Sequence, residues 1–101
     1  MISVYITCKD EKEAKLITSN LLKKRLIACA NIFPVKSLFR WQGKITEKAE
    51  AAMLCKAKNE NFERIKEEAK KLHSYEIPCI VALPWQGSDD KYKHWVENET
   101  S

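Results

Sequence analysis

Two β-favouring runs, Ala28 to Trp41 and Lys44 to Lys58, flank a Gln42-Gly43 turn in the middle of this chain. At roughly 3.3 Å per residue each could extend on the order of 45 Å. The other two strand candidates, near Ser3 to Cys8 and Cys79 to Leu83, reach only roughly 20 Å at the same rise. A sheet made of all four leaves part of the hairpin hanging past its neighbours. That overhang carries Leu38, Phe39, Trp41 and Ile45. A chain of 101 residues has no spare surface to cover them. Other copies of the chain are the economical cover, so the sequence predicts self-association.

The length sets one domain over residues 1–101, with no room for a second core. A hydrophobic fraction of 45% beside 32% charged residues fits a soluble globular protein. No segment approaches the roughly 18 uninterrupted apolar residues of a membrane span. The opening Met1-Ile2-Ser3-Val4-Tyr5-Ile6 has no basic region ahead of its apolar residues, unlike a secretory signal. The expected location is the cytoplasm. The net charge of +4 is mild, and lysines interleave with glutamates along the helices. That pattern is a solvated face, so neither nucleic acid nor membrane is an expected partner. Cys8, Cys29, Cys55 and Cys79 form no C-x-x-C pair. They read as small hydrophobes of a reducing compartment, at least three of them buried on strands.

Val4, Ile6 and Cys8 alternate with Tyr5 and Thr7, the period of a strand with two different faces. Asp10 with Glu13 three residues on signals a helix start, and Ala14, Ile17, Leu21 and Leu22 supply its apolar stripe. Pro34 makes the second strand an edge or bulges it. In the third strand Ala49, Ala51, Met53 and Cys55 share one side, and Glu50, Ala52, Leu54 and Lys56 the other. Asn59 or Asn61 is the expected cap of a helix whose stripe is Phe62, Ile65, Ala69 and Leu72. Pro78 blocks its continuation and opens the last strand. Asp89 or Asp90 caps a short closing helix holding Tyr92, Trp95 and Val96. The order βαββαβ predicts an α+β fold, a ferredoxin-like split βαβ sandwich with a long central hairpin and a short C-terminal helix.

Right-handed crossovers place the end of the first strand, the end of the second helix and the hairpin turn at one pole. Cys8, His73, Tyr75, Glu76 and Trp41 therefore meet there. A thiolate and an imidazole suit copper or zinc, and the thiolate favours Cu(I). Two ligands do not close a structural zinc site, so further ligands would come from Glu76, a neighbouring subunit or water. Against the metal reading stand core packing for Cys8 and helix C-capping for His73. Trp41, Phe39 and Tyr75 read either as a ligand-stacking cleft or as interface anchors. Arg40 and Lys44 are expected to pair with Glu47 or Glu50 across the strands. His94 is expected to be exposed. No phosphate loop, nucleophile elbow or H-E-x-x-H helix is present, so no enzyme is expected. An RNA-binding sheet would need more strand aromatics than Tyr5 supplies.

Four blocks carry a family resemblance: Ala28-Cys29-Ala30-Asn31-Ile32, Ser37-Leu38-Phe39-Arg40-Trp41-Gln42-Gly43-Lys44, Leu72-His73-Ser74-Tyr75-Glu76-Ile77-Pro78 and Tyr92-Lys93-His94-Trp95. Together they resemble the CutA divalent-cation tolerance proteins over essentially the whole chain. The resemblance implies a ferredoxin-like fold, a homotrimer joined through its long hairpins, and a role in tolerance of copper or another divalent metal. It also implies a likeness to the PII signalling trimers, with a small effector in an inter-subunit cleft lined by Trp41, Tyr75 and Glu76. It places metal ligands at Cys8 and His73. Leu72 stands where some bacterial members carry the first of two adjacent histidines, and Ser74 replaces the proline usual after them. No organic cofactor is implied.

Overall fold

A computed structural model describes residues 1–101. The elements follow as β1 (Ile2–Cys8), α1 (Glu11–Lys23), β2 (Cys29–Trp41), β3 (Lys44–Ala57), α2 (Phe62–Leu72), β4 (Ile80–Pro84) and α3 (Asp90–Glu99). A short 3-10 turn, Asn59–Asn61, leads into α2. The four strands form one antiparallel sheet in the order β2-β3-β1-β4, the ferredoxin-like arrangement the element order predicts.

The alternation in β1 sends Ile2, Val4, Ile6 and Cys8 into the core, beside Ala51, Met53 and Cys55 of β3. From α1, Ala14, Ile17 and Leu21 close over this face, and from α2, Ile65 and Ala69. Leu22, expected in the α1 stripe, is exposed. Asp10 caps α1 by accepting the Glu13 N–H at 2.8 Å. Asn61 does not cap α2 through its side chain; its amide donates to the Leu26 carbonyl at 3.2 Å. β2 runs through Pro34 in unbroken register, Pro34 facing Ala51, because β2 is an edge strand whose outer side needs no ladder bond.

The register measures the overhang. Cys8, the last residue of β1, pairs with Ala51, so Lys44 to Glu50 of β3 pair with β2 alone. The hairpin stretches the molecule to 44 Å along one axis against 26 and 21 Å across. Leu38 is 65% exposed and Ile45 73%, and Trp41 and Phe39 are also open to solvent. Gln42 and Gly43 both take positive φ, 50° and 78°, which gives the tight two-residue turn.

Three expectations give way. Only Cys8 and Cys55 are buried; Cys29 is partly covered and Cys79 exposed. Pairing of β4 begins at Ile80, after Pro78, so Cys79 stays on the loop. The closing helix α3 does hold Tyr92, Trp95 and Val96; only Val96 is buried, and the rings of Tyr92 and Trp95 lie tilted against each other outside it. Arg40 and Lys44 lie opposite Ile45 and Trp41, not opposite acids, and form no ion pair within the chain.

Candidate functional site

Cys8 ends β1 with its thiol wholly buried. The Sγ donates to the thioether of Met53 at 3.7 Å. Burial pushes this thiol up to about 12, and the charges of Glu13, Glu50 and Asp10 push the same way. At neutral pH the group is a protonated thiol.

His73 caps the C-terminus of α2, its N–H bonding the Ala69 carbonyl at 3.0 Å. The side chain does not bond helix carbonyls, as a C-capping reading supposes. It crosses to β1, where Nε2–H donates to the Thr7 carbonyl at 2.8 Å. Nδ1 accepts the Tyr75 N–H at 3.1 Å. These two partners fix the neutral tautomer with its proton on Nε2, and the ring is fully buried.

Glu13 joins the pair from the first turn of α1. One carboxylate oxygen accepts the Lys9 N–H at 3.0 Å, and the other accepts the Ser74 N–H at 2.9 Å. Oε1 lies 3.9 Å from His73 Nδ1. Burial would raise this carboxyl, but hydrogen bonds from Lys9 and Ser74 hold it below the usual range. One ligand atom each of Cys8, Glu13 and His73 lies within 4.8 Å of the others. Thiol, imidazole and carboxylate are a donor set that fits a borderline or soft transition metal. Cys8 and His73 were legible in the sequence from topology. Glu13 was read only as a capping partner, although α1 starts beside the end of β1 and its third residue faces the same pole.

A second feature lies on the opposite face of the sheet. A cleft of about 690 Å³ runs between the hairpin and the loop after α2. Trp41, Tyr75 and Glu76 all line it, with Phe39, Lys48 and Glu50. Its volume is that of a small-molecule site. The Tyr75 hydroxyl donates to Glu50 at 2.6 Å, and Lys48 Nζ sits 4.4 Å from the centre of the same ring. Burial and the neighbouring Glu50 carboxylate raise the Tyr75 phenol, so it stays a donor. Lys48 was not singled out from sequence, and Glu50 only as an expected ion-pair partner of Arg40 or Lys44; their roles here depend on where Tyr75 lands. His94 lies exposed on α3, away from both features.

A sequence model described as CutA1 divalent ion tolerance protein matches residues 2–99. The chain belongs to the CutA family. The Divalent-cation tolerance protein CutA of Archaeoglobus fulgidus is 43% identical over 93% of this chain and 92% of that protein. Crystallised CutA1 from Pyrococcus horikoshii superposes with a TM-score of 0.96 at 37% identity, covering 100% of this chain and 99% of the other. The Archaeoglobus fulgidus CutA structure, whose protein is described as periplasmic, gives 0.96 at 41% identity over 98% of both chains. The CutA fold thus covers the hairpin, both poles and the closing helix. No helix of this chain is long and apolar enough to cross a membrane.

Proposed function

We propose that this chain is a homotrimeric, non-enzymatic metal-tolerance protein of the cytoplasm. It binds a transition-metal ion, copper first among them, weakly through Cys8 and His73. The observation that carries this reading is the convergence of Cys8, Glu13 and His73 within 4.8 Å at the pole the topology selects. The names of its CutA relatives, which speak of divalent-cation tolerance, support the same role. Weakness follows from the geometry. An ion must expel the Cys8 proton and take a His73 nitrogen from Thr7 or Tyr75. Four free thiols agree with a reducing compartment. The exposed Leu38, Trp41 and Ile45 supply the apolar surface that trimer formation would hide.

Titration calorimetry with copper and zinc on the wild type, Cys8→Ala and His73→Ala tests the site. The expected result is heat of binding in the wild type and its loss in both variants. Identical isotherms in all three would contradict it.

The cleft supports a second reading, a PII-like adaptor trimer that binds a small effector against Trp41, Tyr75 and Glu76. Native mass spectrometry of freshly purified protein decides between them. A co-purified organic ligand without metal favours the adaptor.

A further inference from the structure

We infer that Met53 is a metal ligand, and that Cys8, Met53 and His73 together make a site for Cu(I) in preference to a divalent ion. The inference rests on the metal-binding reading above and names the ion and a donor which that reading leaves open.

Met53 lies on β3 opposite Ile6 of β1 and Ile32 of β2, wholly buried on the core face. Its Sδ lies 3.7 Å from Cys8 Sγ and accepts the thiol proton. Two sulfurs bound to one ion at roughly 2.3 Å each, at trigonal angles, stand about 4 Å apart. The observed spacing is within a few tenths of an ångström of that value. An ion on this line takes the place of the proton. Cu(I) and the Cys8 thiol give a thiolate–copper bond, and the proton leaves to solvent, with no change of oxidation state.

Charge and hydrogen bonding select the ion. Cu(I) with one thiolate is neutral, like the thiol it replaces, so the dry pocket gains no net charge. A divalent ion with the same thiolate leaves one positive charge behind. Glu13 is the group placed to offset it, and both its oxygens already hold backbone N–H groups of Lys9 and Ser74. Pulling the carboxylate away would orphan those donors. The cost of freeing a His73 nitrogen from Thr7 or Tyr75 is the same for either ion, and the Met53 thioether loses only a weak S–H contact. Thioether with thiolate is a soft pair, the combination that favours Cu(I) over zinc or Cu(II).

The test uses Cu(I) under anaerobic conditions, held by a chromogenic Cu(I) chelator as competitor, with Zn(II) titrated in parallel. Met53→Leu keeps the core volume. It is expected to weaken Cu(I) binding about tenfold or more and leave Zn(II) binding unchanged. Copper X-ray absorption should count two sulfurs in the wild type and one in the variant. The wild type alone gives a further reading. With methyl-¹³C methionine, Cu(I) should shift the Met53 Cε resonance and leave that of Met1, the other methionine, in place. Cu(I) binding that is lost in Cys8→Ala but untouched in Met53→Leu, with one sulfur and a stationary Met53 methyl, overturns the inference and keeps the parent reading. Absence of any copper or zinc binding overturns both.

Discussion

Glu13 ties two pieces of chain with one carboxylate: the end of β1 through Lys9 and the loop after α2 through Ser74. In Glu13→Gln one oxygen becomes an amide nitrogen that cannot accept, so one backbone N–H is orphaned. The expected loss is about 1–3 kcal/mol, read from urea unfolding at neutral pH. Because the native carboxyl is held below its usual range, its contribution is full above the ordinary carboxylate pKa. It is lost as pH falls through the depressed value, so the acid limb should be flatter in the variant. Cys55 acts at the other end of the scale. Burial, only partly opposed by Lys56, pushes its thiol from about 9 up to about 12. A raised native pKa gives stability that is complete below about pH 9 and declines as pH climbs toward 12. The slope is about 1.4 kcal/mol per pH unit. Cys55→Ala should remove that share of the alkaline slope, whatever its effect at neutral pH.

The segment from His73 to Cys79 links the two features at the element scale. His73 faces the core pole while Tyr75, Glu76 and Cys79 line the cleft on the sheet's other side. The Tyr75 N–H on His73 Nδ1 and the tilted ring contact, with centroids 4.9 Å apart, keep this loop in shape. His73→Ala removes the acceptor, so hydrogen exchange at the Tyr75 amide should accelerate while exchange in the β1–β3 ladder stays slow. Exchange unchanged at Tyr75 would show that the ring does not hold the loop. The elements themselves were legible in the sequence because alternation and helical spacing report burial directly. Val4, Ile6 and Cys8 point inward, and Ile65 and Ala69 face the sheet, as their spacing requires. What the sequence did not reveal depends on tertiary approach. Asn61 has the chemistry of a cap but finds the Leu26 carbonyl instead. Cys79 looks like strand until Pro78 delays the ladder. Met53 reads as core filler until its sulfur is seen against Cys8.

At the scale of the whole molecule the hairpin governs. Only 21 of 101 residues are buried in the isolated chain, and the ribbon beyond Cys8 has no partner but itself. An isolated two-stranded ribbon is marginal in water. Its length and greasy sides make sense when siblings cover them. Burying Leu38 and Ile45 would contribute on the order of 1.5–3 kcal/mol each per protomer. Leu38→Asp with Ile45→Lys should therefore dissociate the proposed trimer, and the melting temperature, dependent on protein concentration in the wild type, should become independent of it in the variant. Sedimentation velocity of the unaltered protein at micromolar concentration tests the claim most directly. The account predicts one species at three times the 11.7 kDa chain mass. A stable species at the mass of a single chain would contradict it.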